Sequence, residues 1–159
     1  MTEEQYERQY ESHIWLSRMW DTDGEIKALI GRRDDIVSSM SGIGKYDAKH
    51  ISTQNGENTT ETKNIEFSFI SAQIEKLSSD LAFENIRTIK TIDNLSDPKL
   101  RGMLKARYLT RRSWVQIGKD YHYEKSRIYG YRGIALDAIR PFVPDEEVAE
   151  ILKEIDERR

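Results

Sequence analysis

Cysteine is missing from the 159 residues, so neither a disulfide framework nor a thiolate metal site can form. Histidine is scarce. His13, His50 and His122 stand on three unrelated segments, with no H-E-x-x-H and no pair four residues apart to set two metal ligands on one helix face. No run of about 18 apolar residues is present to span a bilayer. The acidic opening MTEEQYERQYE is not a signal peptide, so the expected location is the cytoplasm, with no membrane partner. The segment Gly42-Ile43-Gly44-Lys45 lacks the spacing and the Ser/Thr of a phosphate-binding loop, and the Asn58-Thr59-Thr60 sequon has no meaning in a cytosolic chain. Acid pairs such as Asp34-Asp35 fall on the charged face of a helix, where carboxylates are solvated rather than poised for acid catalysis. The expectation is a protein without enzymatic activity, metal or cofactor.

What is present is helical periodicity. Tyr6, Tyr10, Ile14, Trp15, Met19 and Trp20 form one stripe, and Ile26, Leu29, Ile30, Ile36, Val37 and Met40 form a second over residues 25–40. Residues 41–64 are rich in Gly, Ser, Thr and Asn and read as a flexible loop. Apolar spacing resumes over 65–94, where Ile70, Ile74, Leu77 and Leu81 recur at alternating four and three, widened by Phe69, Phe83, Ile86, Ile89 and Ile92. Two long helices with seam-like stripes joined by a linker suggest an antiparallel hairpin, and the same stripes suit pairing between chains. A homodimer is the expected oligomer.

Ser96 or Asp97 with Pro98 opens the next helix, since proline is favoured at the first helical position, and Leu100, Leu104 and Tyr108 form its inner face. Beyond Pro141 and Pro144, Asp145 is placed to cap a short acidic helix with Val148, Ile151, Leu152 and Ile155 on one side. That stripe is expected to pack back on its own chain in preference to a partner. The chain thus divides into a helical hairpin and oligomerisation region at 1–95, a further helical region at 96–141, and an acidic C-terminal helix at 142–159.

Charge follows the same division. Residues 1–98 carry 11 Lys and Arg against 18 Asp and Glu, residues 99–140 carry 11 against 3, and residues 141–159 carry 3 against 7. The balances are −7, +8 and −4, within a net charge of −3. The positive potential is concentrated on one segment, as in a nucleic-acid module whose remainder is acidic.

That segment holds the most informative stretch of the chain, SWVQIGKDYHYEKSRIYGYRGIALDAIR at 113–140. Ser113 and Gln116 make a capping box, so a helix begins at Trp114, and Ile117 and Tyr121 give it a short apolar stripe. After a three-to-four-residue turn, Ile128, Ala135, Leu136 and Ile139 line the inside of a second helix that Pro141 stops. Ser126, Gly130, Gly133 and Asp137 fall opposite, flanked by Lys125, Arg127 and Tyr129, leaving an outer surface that is small and basic near the helix start. Two helical glycines cost roughly 1 kcal/mol each relative to alanine. Either backbone approach to DNA or early fraying of the helix would account for them. Trp114 reads as core, with stacking on DNA a second reading.

Residues 113–140 resemble, without a gap, the C-terminal helix-turn-helix of bacterial sigma factors, region four, through Ser113, Gln116, Ile117, Gly118, Arg127, Ile128, Ala135, Leu136, Ile139 and Arg140. Leu104 to Leu109 is similar to the helix that leads into that motif. The Arg107-Tyr108 pair and Trp114 look more like the sigma-like, ArpU- or RinA-type transcriptional regulators of phages of Gram-positive bacteria. The resemblance implies an all-α protein: an N-terminal long-helix hairpin followed by a C-terminal region-four-like helix-turn-helix. It also implies double-stranded DNA as ligand, host RNA polymerase as a further partner, and activation of late genes. A small terminase subunit, or an adaptor of anti-sigma type that does not bind DNA, are the alternatives. The DNA-binding residues expected are Lys125, Ser126, Arg127, Tyr129 and Arg132 on the second helix, with Arg111 and Arg112 before the first. The chain departs from the sigma pattern at the turn, where His122 replaces glycine, and at the cap of the second helix, where Glu124 replaces Ser or Thr.

Overall fold

The computed structural model describes residues 1–46 and 53–159, with side chains described outside 41–58. Among the described residues the chain is all-helical: α1 (Glu3–Leu16), α2 (Trp20–Tyr46), α3 (Thr53–Ile92), α4 (Pro98–Tyr108), α5 (Trp114–Asp120), α6 (Lys125–Ile139) and α7 (Asp145–Glu157), with a 3-10 turn at Arg140–Phe142 between the last two. None of these helices is long and apolar enough to cross a membrane.

The polar segment expected as a loop over 41–64 is helical at both ends, because α2 runs on to Tyr46 and α3 starts at Thr53. Extending a formed helix by one residue costs far less than starting one, so polar residues of modest propensity continue a turn that apolar packing has already nucleated. The central part of that expectation, 47–52, lies outside the described residues.

The chain forms two compact units, and the division differs from the expected one at 95 and 141. One unit is the inserted stretch 20–83; the other joins 1–19 to 84–159. In the inserted unit, Ile26, Ile36, Ile70 and Ile74 are buried together, with Leu29, Ile30, Met40, Phe67, Leu77 and Leu81 packed around them. The Arg32 guanidinium donates to both carboxylate oxygens of Glu66 at 2.8 Å, and Lys63 donates to Ser39, so α2 and α3 run antiparallel within one chain. The stripe Ile70, Ile74, Leu77 and Leu81, which suited pairing between chains equally well, is therefore occupied by the chain's own α2.

The other unit is built around α6, which packs against α1, α4 and α5. Its core includes Trp15, Leu16, Ile92, Met103, Leu104, Ile117, Ile128, Leu136, Ile139 and Val148. The starts of α1 and α4 are chemically marked. Thr2 and Gln5 form a capping box on α1, and the Asp97 carboxylate accepts from the Lys99 N–H at 2.9 Å with Pro98 in the first turn of α4. Pro144 takes the cap position of α7, so Asp145 is its first helical residue and acts on the helix dipole rather than as the cap. Helix α7 packs on α1, and of its stripe Val148 is buried while Ile151, Leu152 and Ile155 are half-buried. Arg87 bridges Glu84 and Glu147 at 2.8 and 2.6 Å, while Arg18 lies 3.8 Å over the Trp15 ring and pairs with Glu84 at 2.9 Å. Arg87 also holds the Glu147 carboxyl below the usual carboxylate range.

Candidate nucleic-acid interface

The segment 113–140 folds as two helices joined by a tight turn. At the start of α5, the Ser113 hydroxyl accepts from the Gln116 N–H at 3.2 Å, and the Ser113 N–H donates to the Gln116 side-chain oxygen at 3.0 Å, the reciprocal pair read in the sequence. At its end, the Tyr123 N–H donates to the Gly118 carbonyl at 2.8 Å and the His122 N–H to the Lys119 carbonyl at 3.1 Å. His122 has φ 59°. These two bonds and the left-handed residue between them are a Schellman closure, with histidine in the position where glycine is commonest. Gly118 does a different job. A Cβ there would lie 3.1 Å from Ile128 Cγ2 and 3.3 Å from the Tyr123 carbonyl oxygen, so its bare backbone lets α5 and α6 approach.

Ile128, Ala135, Leu136 and Ile139 are buried on the inner side of α6, and Trp114 is buried as core. Glu124 occupies the cap position of α6 without a side-chain cap bond. Pro141 falls in the 3-10 turn that ends α6, and the helix stays intact through both glycines to Ile139, so the fraying explanation for them does not hold. Gly130 has open space where a Cβ would stand; at Gly133 the Gln9 side chain approaches to 3.3 Å.

The outer side of α6 is only half free. The Gln9 amide donates to Asp137 at 3.2 Å, Arg8 pairs with Asp137 at 3.6 Å, the Ser12 hydroxyl donates to the Leu136 carbonyl at 2.8 Å, and Arg140 pairs with Glu11 at 3.3 Å. Helix α1 thus covers the C-terminal half, including Gly133 and Asp137, which had been expected to face outward. Lys125, Ser126, Arg127, Tyr129 and Gly130 remain exposed at the N-terminal half, with Tyr129 at 42%.

The remaining expected contacts are distributed unevenly. Arg127 lies with its guanidinium carbon 4.0 Å from the Tyr123 ring centroid. Tyr123 stacks on Tyr131 at 5.3 Å with 9° between planes and on Tyr121 at 5.9 Å, and Lys99 donates to the Tyr123 hydroxyl at 2.9 Å. Hydrogen bonds from Arg127 and Tyr123, with the charge of Lys99, hold the Tyr131 hydroxyl below the ordinary phenol range, and the bond to Tyr123 raises the Lys99 ammonium. The sequence reading missed this tyrosine stack and Lys99. Its only local trace is the alternation of tyrosines at 121 and 123, and Lys99 enters from α4.

Arg132 points elsewhere. It lines a small cleft of about 100 Å³ with Tyr6, Gln9, Tyr10 and His13, and its Nε is buried. Its helical phase, one turn beyond Ile128 and one turn before Leu136, puts it on the inner arc, so the same face arithmetic that found the core would have removed it from the outer surface. His13 Nδ1 lies 2.8 Å from the Tyr108 hydroxyl. Burial, then the charges of Arg132 and Arg107, lower the His13 imidazole below 6.5, and burial pushes the Tyr108 phenol up to about 12. Arg112 grips the Asp120 carboxylate through Nε at 2.9 Å and Nη2 at 3.0 Å. Arg111 is exposed, in left-handed backbone at φ 62°.

Among the described residues no cluster of three or more His, Asp or Glu is arranged to hold a metal ion. No known family model, no curated protein and no solved structure matches this chain.

Proposed function

We propose that this protein binds double-stranded DNA through α5 and α6, with the N-terminal half of α6 entering the major groove, and that it acts as a sequence-specific transcriptional regulator of the sigma-like phage type. The observation that carries the reading is the exposed group Lys125, Ser126, Arg127, Tyr129 and Gly130, set on a helix whose opposite side is core and whose approach to α5 is fixed by a capped start and a closed turn. Recognition helices of this architecture read bases from their first turns, so coverage of the C-terminal half by α1 leaves the relevant part open. The balance of +8 over residues 99–140 supplies attraction to phosphate in a chain that is otherwise acidic.

Lys125 and Arg111 serve phosphates, and Ser126 and Tyr129 face base edges. Arg127, laid over the Tyr123 ring, presents its N–H edge from a fixed position, so less rotamer entropy is lost on binding. Arg112 shares its charge with Asp120 and contributes mainly by fixing the end of α5. One such module covers few base pairs, and a two-fold dimer would place two of them about 10 base pairs apart or a multiple of that. Partnership with host RNA polymerase belongs to the same reading.

The test is selection of duplexes from a random pool by the full chain, followed by footprinting and in vitro transcription on the selected DNA. The expected result is one enriched motif, a footprint, and a change in transcript yield with host polymerase. Lys125→Ala should weaken binding and lower the salt slope by about one. Tyr129→Ala should change base preference. A ring-sized assembly on DNA without any effect on transcription would favour a terminase subunit, and no enrichment at low salt would leave the adaptor.

A further inference from the structure

Helix α3 carries a second row that includes large apolar residues, on the side opposite the one that packs on α2. Ile65, Phe69, Ala72, Lys76, Ser79 and Phe83 recur at alternating four and three, the spacing of a coiled-coil seam, and each of them is exposed. Ile65 is 65% exposed, and Phe69 and Phe83 are each 64% exposed. Scattered surface leucines need no explanation, but three large apolar groups held in one register over roughly 27 Å of helix, at about 1.5 Å per residue, with two of them one turn apart, expose apolar area at both ends of the row that water does not favour.

The row also has an internal symmetry. Its large members stand at the two ends, Ile65 and Phe69 at one and Phe83 at the other, while Ala72, Lys76 and Ser79 fill the middle. Laid antiparallel on itself about a point level with Ile74, the row sets Ile65 against Phe83 of a second copy, Phe69 against its Ser79, and Lys76 against its Ala72. Each larger middle side chain then faces a small one, Phe69 against Ser79 and Lys76 against Ala72, while the ends fill with side chains. Lys76 also decides the direction. Parallel pairing would stack Lys76 directly on its own copy at the seam, where like charges oppose one another; antiparallel pairing gives it the space beside Ala72 and brings Glu75 of the second copy within one turn.

We propose that the outer side of α3 is a self-association surface, at which two copies of this chain pair antiparallel through Ile65, Phe69, Ala72, Lys76, Ser79 and Phe83. The pairing leaves the α2–α3 packing intact and would supply the second module that a two-fold DNA site requires. It does not depend on the DNA reading, since the mass of the particle reports it without nucleic acid.

The experiment is sedimentation velocity on the full chain over a concentration series, with cross-linking as the test of direction. The unaltered protein should shift from monomer to dimer with rising concentration, and Phe69→Glu should raise the dissociation constant roughly tenfold or more, with unchanged helical circular dichroism because position 69 is exposed. The chain has no cysteine of its own, so Ala72→Cys and Ser79→Cys, each made singly and treated with a short thiol cross-linker, give a clean readout. In the antiparallel register, the two copies of position 72 lie about 6 Å apart along the axis and those of 79 about 15 Å apart, so Ala72→Cys should cross-link and Ser79→Cys should not. Equal cross-linking of both would overturn the antiparallel register. A monomer at every concentration, or a dimer that Phe69→Glu leaves as tight as before, would overturn the surface itself.

Discussion

A Cβ on Gly118 would stand 3.1 Å from Ile128 Cγ2 and 3.2 Å from Ile128 Cβ, so the helices α5 and α6 meet closely at this pair. Alanine at 118 should gain roughly 1 kcal/mol of helix propensity. Against that stand neighbours unable to withdraw, because one is a β-carbon fixed to the α6 backbone and another is the Tyr123 carbonyl oxygen at 3.3 Å. Overpacking of this kind costs about 1–3 kcal/mol, so Gly118→Ala should lower the melting temperature, and Gly118→Val should lower it further. Thermal denaturation of the two variants measures both.

Gly130 offers the opposite case. Nothing approaches within 4 Å of the place its Cβ would take, so Gly130→Ala should stabilise the protein by about 1 kcal/mol. If the α6 backbone approaches DNA at this position, the same change should weaken DNA binding while raising the melting temperature. Paired melting and binding titrations separate the two effects, and a stabler protein with unaltered affinity would remove the close approach from the binding scheme.

The Ser113 hydroxyl satisfies the free N–H of Gln116 at the start of α5. Ser113→Ala should cost about 1 kcal/mol, and Ser113→Asp should recover most of it, since aspartate caps equally well. Chemical denaturation midpoints at unchanged slope are the measurement.

His13 sets an acid limit. Its folded-state pKa lies below the ordinary 6.5, so the unfolded chain takes up its proton first. The stability that the neutral imidazole permits is complete above 6.5, declines as pH falls below 6.5, and levels off once pH has passed the folded-state value. The Glu147 carboxyl, lowered by Arg87, loses its contribution in a more acid window, below its ordinary 4.5. His13→Gln should therefore flatten the upper part of the stability profile, just below 6.5, and leave the steeper acid limb in place. Urea unfolding across that range checks it, and an unchanged upper slope would place the proton uptake on another group.

How much of this was legible in the residues depended on the range of the forces involved. The boundaries of α5 and α6 follow from signals within four residues of each end: the Ser113 and Gln116 box, the turn at His122, and Pro141. The inner face of α6 follows from spacing alone, and the same spacing places Arg132 inward, a consequence easily missed when a basic residue is expected on an outer face. The polar character of 41–64 hid the helical extensions to Tyr46 and from Thr53, because composition reports propensity while continuation of a helix depends on what has already formed beside it. The bond from Ser12 to the Leu136 carbonyl joins residues 124 apart, and no local pattern could have announced it. Nor could one have shown that α1 shields half of α6, or that Lys99 of α4 joins the tyrosines around Arg127.

The covering of α6 by α1 sets an order in time. A ribosome adding about 5–20 residues per second exposes α1 first and needs roughly 6 to 24 s more to produce the helix it packs on. Throughout that interval Trp15 and Leu16, buried in the finished protein, have no partner from α6, while the stretch 20–83 has both of its helices in hand and can close early. Folding of this chain should then proceed from the inserted unit outward. The candidate DNA-reading surface should be completed only after the first and last parts of the chain have met, so that nascent or truncated chains lacking either would not present it.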